Sequence, residues 1–406
     1  MINKFTSLPI FNAFYYKNFS LLLLTTVAFS VGHFMMMVAL GWLVLEMTDS
    51  PFSLGTVWAA RSAPFLIFGI FAGALADKVD RRRLLIITFI LLAVCALVMG
   101  ILISRSWIQL WHILLITFII GLVMTFNMTA RQTFVVDIVG SKDAMSALSM
   151  NAAAMRVTGI FGGVVAGLVI KLFGIDWCFY IMFISYLVGI LILLFIREVT
   201  IKTIPKRQSI QKYFVEGLRI IQKNQIVLTL MIMSIICETM GFSYQVVLPI
   251  FARDILGVSA IGLGMLTMAQ SVGALIGVLC LASLGDYQHK GQLILGVFLF
   301  FGIFLLLFSQ SPWYLTSLVL IGVVGAVAAA FDTMQHTLLQ LNVNDEQRGR
   351  AMGIWMLSIG FMPVGSIMIG AIAGIIGAQF ALTINGAVII LAFIILLLSV
   401  PGLKRA

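Results

Sequence analysis

Twelve long apolar runs, separated by short polar breaks, constrain this chain more than any other feature. They lie at 20–45, 53–76, 84–103, 109–130, 147–172, 177–196, 225–250, 261–283, 292–308, 313–331, 351–375 and 379–400. A helix crossing a bilayer needs ~20 apolar residues, and each run is about that long. Backbone polar groups cannot be left unpaired in hydrocarbon, so a spanning segment is either a helix or part of a closed barrel. Barrel strands alternate apolar and polar residues; these runs are continuous, so they read as helices. The chain is 62% hydrophobic and 10% charged, where soluble domains are nearer 45–50% and about 25%. That excludes a soluble enzyme, a disordered chain and a secreted disulfide scaffold. The first run, from Leu21 to Leu45, is too long for a signal-peptide core and lacks a small-residue cleavage site, so it reads as the first helix. Cys95, Cys178, Cys237 and Cys280 sit in apolar runs without metal or CxxC spacing and read as packing residues. Neither a metal nor a cofactor is expected.

One break is long. Residues 197–224 are polar, with Arg197, Lys202, Lys206, Arg207, Lys212, Arg219 and Lys223 interleaved with Tyr213, Phe214, Leu218 and Ile221. That mixture suggests an amphipathic interfacial helix. It divides the chain into an N-terminal six-helix bundle (1–196), a cytoplasmic linker (197–224) and a C-terminal six-helix bundle (225–406). The net charge of +10 fits the excess of Lys and Arg on cytoplasmic loops. With the N-terminus inside, 20 of the 25 basic residues fall in inside segments, including Arg81–Arg83 and Arg131. Three, Arg105, Lys171 and Arg253, fall outside, and Arg61 and Arg156 lie within spans. Both termini are thus expected in the cytoplasm, and the charge needs no nucleic-acid partner.

The halves echo each other. ARQTFVVDIVGSKDAMSALSMN leads into GIFGGVVAGLVIKLFG, and DTMQHTLLQLNVNDEQRGRAMG leads into GFMPVGSIMIGAIAGIIG. Each is a polar-flanked turn before a glycine-rich span, and small residues let helices approach closely in lipid. Two such halves related along the membrane normal describe one large class of transporters.

After the second span the chain reads Gly73-Ala-Leu-Ala-Asp77-Lys78-Val-Asp80-Arg81-Arg82-Arg83. This closely resembles the major facilitator signature G-x-x-x-D-[RK]-x-G-R-[RK], with Asp80 replacing a glycine. The Asp variant, together with AARSAPFLIFGIFAGALAD, LPIFARDILGVSAIGLGML and EQRGRAMG, is similar to the branch of enterobactin-type siderophore exporters and macrolide efflux proteins. The resemblance implies an all-α fold of twelve transmembrane helices in two six-helix bundles. It also implies that Gly73, Asp77, Arg81 and Asp137 form a latch holding the cytoplasmic side shut in the outward-facing state. Gly73 would permit close helix contact, and Asp77 would face the positive end of the eleventh helix. The alternative is a basic loop that only sets orientation. The second-half counterpart, Ser283-Leu-Gly285-Asp286-Tyr287-Gln-His289-Lys290, keeps the acid but loses the arginine run.

A charged group at the centre of a span costs ~2.5–3.5 kcal/mol on insertion scales, so it usually faces protein or water. Glu238, in IICETMGF, is the deepest carboxylate and has no opposite charge within a turn. A buried carboxyl without a partner favours its protonated form, as a proton carrier must. It is the first candidate for proton coupling or substrate contact. Asp332 and His33 are the next proton candidates, and His336 lies one turn beyond Asp332. Arg61 and Arg156 keep their charge, so they either pair with acids across the interface or bind an anionic ligand. Pro64, Pro249 and Pro363 mark expected bends. No P-loop, HExxH or nucleophile elbow occurs, and no enzyme activity is expected.

The expected activity is proton-driven export of a bulky amphipathic molecule, a siderophore or drug-like compound, by alternating access. The expected location is the bacterial inner membrane, with the chain a monomer. The alternatives are an importer or symporter of a nutrient or metal chelate, and a lipid-moving facilitator.

Overall fold

The computed structural model describes residues 13–76, 79–196, 224–284, 287–343, 355 and 358–399. The described residues form helices α1 (Lys17–Thr48), α2 (Pro51–Ala76), α3 (Arg81–Ser104), α4 (Leu110–Gly140), α5 (Asp143–Phe173) and α6 (Ile175–Phe195). They continue with α7 (Gln225–Ile255), α8 (Ala260–Ser283), α9 (Lys290–Ser309), α10 (Tyr314–Leu341), α11 (Met362–Ile376) and α12 (Ala378–Ser399). Ten of these are long and apolar enough to cross a membrane, and α11 is a shorter apolar helix. The protein is therefore a multi-pass, all-helical membrane protein. The proposed linker, apart from Asn224, lies outside the described residues, as do Asp77, Lys78, Gly285 and Asp286.

Local chemistry sets the boundaries. The Asp80 carboxylate accepts from the N–H groups of Arg82 and Arg83 and caps α3; Asn224 does the same for Ile226 and Val227 at α7. The link expected after residue 130 is instead one residue wide. Residues 131–139 stay helical, and the chain breaks at Gly140 (φ 76°, ψ 172°), a left-handed conformation open to glycine. The charged groups of the polar stretch that reads as a turn, Arg131 and Asp137, each find a partner within the protein.

We call the side carrying Lys17, Arg81 and Asp143 the near face, and the side carrying Asp49, Gly174 and Arg253 the far face. Trp107, Trp111, Trp177 and Trp313 are all exposed at far-face helix ends, as expected of an aromatic belt at a membrane surface. Within the first six helices, α1 packs on α5 and α6, α2 on α4, and α3 on α6; in the rest, α8 packs on α10 and α9 on α10 and α12. The two groups meet through α5–α8 and α2–α11. Both crossings are backbone to backbone near the far face. A Cβ at Gly163 would lie 2.8 Å from the Gly264 carbonyl oxygen, and one at Gly370 would lie 2.9 Å from the Gly55 Cα. Small residues at these crossings bring the two groups together.

Candidate functional site

The first cluster is built on α1, α2 and α4. Arg61 is 8% exposed. Its Nη2 lies 3.2 Å from His33 Nδ1 and 3.8 Å from Met124 Sδ, and its guanidinium sits 5.0 Å from the Trp58 ring centre. Its Nε has no hydrogen-bond partner among the described residues. His33 also stacks on Phe29 and meets Phe34 edge to face. The cluster is thus a fixed cation ringed by aromatic and thioether surface, with no carboxylate among these contacts. An arginine so placed can meet an anion or an aromatic face.

A second buried cation lies where charge counting places a loop. Arg131 is 3% exposed within α4. Its Nη1 donates to Thr25 Oγ1 (3.1 Å) and Thr26 Oγ1 (2.7 Å), and its guanidinium lies 5.2 Å and 5.6 Å from the Phe29 and Phe89 ring centres. Its Nε and Nη2 have no hydrogen-bond partner among the described residues. The loop expectation fails because the apolar run ends at residue 130 while the helix does not. The available signal is Asn127 four residues earlier, a buried polar group on the same helical face that donates to Thr88 Oγ1 at 2.7 Å.

The third cluster spans the two groups of helices. Arg156 on α5 lies within electrostatic reach of Asp332 on α10. Asp332 is also within reach of His336, one turn along α10, and of Glu238 on α7. His336 packs edge-on against Trp355, with ring centres 4.0 Å apart. Glu238 is 9% exposed and sits in a π-helical turn, Cys237–Gly241, interrupting α7. Such turns are rare and occur frequently at functional sites, since the wider turn redirects a side chain. Nothing in CETMG announces it. A second π-helical turn, Phe251–Ile255, follows Pro249.

At the near face Arg81 pairs with Asp137, joining α3 to α4. A Cβ at Gly73 would meet nothing within 4 Å among the described residues. No described helix approaches it closely, because the close crossings lie at the opposite face. Asp77 lies outside the described residues. At the far face Arg253 on α7 pairs with Asp49 at the end of α1 and with its neighbour Asp254. Arg253 and Asp49 are 204 residues apart in the chain.

Cavity size does not locate this chemistry. An apolar cavity of about 680 Å³ between α1 and α5, lined by Val27, Met150, Val157 and Phe161, contains none of the candidate residues. Of the cysteines, Cys95, Cys178 and Cys237 are buried; Cys280 is exposed and so is not the packing residue expected. Among the described residues no group of His, Cys, Asp and Glu could hold a metal ion.

Residues 9–405 match the family model described as transmembrane secretion effector. The staphyloferrin A transporter of Staphylococcus aureus is 25% identical over 367 residues, covering 88% of this chain and 89% of the relative. The multidrug efflux pump Tap of Mycolicibacterium fortuitum is 25% identical, covering 88% and 89%. The enterobactin exporter EntS of Shigella boydii is 23% identical, covering 92% and 91%. Among solved structures, a mutant of the nucleoside transporter NupG superposes with a TM-score of 0.73 at 18% identity, covering 93% of this chain and 99% of that one, a likeness of fold.

Proposed function

The chain belongs to the transmembrane secretion effector family of the major facilitator superfamily, a family of transporters and not enzymes, and we propose that it exports a bulky amphipathic small molecule, driven by protons. The substrate is a siderophore or a drug-like compound, the two classes named for its relatives. Twelve spans form two six-helix halves, 1–196 and 225–406, joined by a cytoplasmic linker. Both termini face the cytoplasm of a bacterial inner membrane, and the protein works as a monomer. Rocking of the halves alternately opens a central site.

The observation that carries this reading is the cluster between the halves. Arg156 of the first half faces Asp332 of the second, with Glu238 and His336 beside it. Ionisable groups this deep in a membrane protein mark pathways for ions or substrate. Glu238 carries the proton, Asp332 and His33 are the further proton candidates, and Arg61 and Arg156 meet the ligand. Arg81 and Asp137 keep, with Asp77 and Gly73, the near-face latch role. A proton entering across ~100 mV gains ~2.3 kcal/mol, and each pH unit adds ~1.4. Together these sustain a several-hundred-fold gradient per proton.

The test is transport in proteoliposomes under an imposed pH gradient. Siderophores and lipophilic drugs should move against the proton flow, and collapse of the gradient should stop accumulation. Accumulation in the direction of the proton flow would establish a symporter instead, and movement only of lipid would establish a lipid facilitator.

A further inference from the structure

We propose that Trp58 is a positioning residue that couples the Arg61 cluster to closure of the far face, through a water-sized cavity shared with Gln245 and Gln270. This rests on the alternating-access reading above.

Trp58 has two faces of use. Its ring carries the Arg61 guanidinium at 5.0 Å. Its indole Nε1 is buried without a hydrogen-bond partner among the described residues, in a side chain 3% exposed. An indole N–H is a donor only, and leaving one unpaired is costly. Trp58 lines a cavity of about 20 Å³ together with Met37 and Val38 of α1, Gln245, Leu248 and Pro249 of α7, and Leu263, Thr267 and Gln270 of α8. That volume exceeds the ~10–15 Å³ a water needs, and the site has polar partners for one. Gln245 and Gln270 also bond to the Tyr244 side chain, and a water accepting from Trp58 Nε1 and bonding to the remaining groups of these amides joins α2 to α7 and α8 across the interface. The same joint lies beside the Gly41–Pro249 and Gly163–Gly264 contacts between the two groups of helices. A ligand that displaces Arg61 moves Trp58 and breaks the bridge; a ligand leaving Arg61 in place keeps the far face shut.

The experiment places a cysteine at Ala260, 4% exposed at the far-face start of α8 and outside the cavity lining, in a chain with its four native cysteines replaced. Labelling by a membrane-impermeant maleimide from the far side reports opening. Trp58→Phe keeps the ring over Arg61 and removes only the N–H, and Gln270→Leu removes the opposite partner. Each should raise the labelling rate three- to tenfold, with the double variant no faster than either alone, because both break one bridge. Thermal midpoints in detergent should stay close to the parent's, which a packing role would not predict. Unchanged rates, or effects that multiply, overturn the proposal. Gly55→Phe, a wedge at the α2–α11 crossing, is the control. If it opens the far face while Trp58→Phe does not, this inference alone fails. If no variant ever exposes position 260, alternating access fails with it.

Discussion

The first six helices and the later ones share an architecture and divide the charge. Among the described residues of the first group the buried charged groups are Arg81, paired with Asp137 at the near face, and, deeper, Arg61 and Arg131, which are held by hydroxyls, a histidine and aromatic rings with no carboxylate among these contacts. Among the described residues of the later group the buried acids are Glu238 and, half-buried, Asp332. Arg156 is a cation within electrostatic reach of Asp332 from across the divide. Uncompensated charge inside a membrane protein is expensive. Each group therefore holds a cost that a partner of opposite sign could relieve: an anionic ligand for the first, a proton for the second. The two groups of helices thus meet at glycine crossings while the chemistry on each side differs.

Wedging the divide should have the largest effect. Gly163→Val puts methyl groups against the Gly264 carbonyl and Thr267, so closure of the far face should weaken by ~1–3 kcal/mol, the scale of a conformational coupling energy. Far-side cysteine labelling should rise roughly ten- to hundredfold, and a wild-type rate would show that the crossing is not the seam. Glu238→Gln fixes the later group in its neutral form. Accumulation driven by a pH gradient should fall at least ~10-fold while passive exchange persists; uphill pumping at the wild-type level would move the proton to Asp332 or His33. Arg131→Met tests the first group. Burying a charge costs several kcal/mol, and two hydroxyl contacts offset only part of it. The thermal midpoint in detergent should hold or rise while flux falls several-fold; a clear loss of stability would make Arg131 a structural cation. Asp49→Asn should have the smallest effect. The Arg253–Asp49 pair is exposed, so it contributes ~0.2–1 kcal/mol. Far-side labelling should rise no more than a few-fold, and less at high salt.

Much of the fold is legible because hydrophobic run length is a one-dimensional property. Hydrocarbon thickness fixes how many apolar residues a crossing helix needs, and helices overlap every apolar run. The caps at Asp80 and Asn224 and the breaks at Gly140 and Gly174 follow from local chemistry. One loop and three short stretches carry the family membership. The Arg81–Asp137 pair follows from that resemblance and is present, though it joins helices and leaves Gly73 uncovered among the described residues.

What tertiary structure alone decided concerns partners far apart in the chain. Arg131 ends an apolar run, so sequence places it in water; Thr25, Thr26, Phe29 and Phe89 take it into the protein. Glu238 stands out by its depth, but the π-helical turn that aims it depends on packing against α11 and α12, where Gly365 meets the Thr239 backbone and Asn385 donates to the Met240 carbonyl. Trp58 reads as one more aromatic in an apolar run until α7 and α8 close over its N–H. Periodicity encodes what a segment buries, because solvent transfer acts residue by residue. It does not encode what a buried polar atom will face, because hydrogen bonds are short and directional and their partners arrive only when the helices assemble.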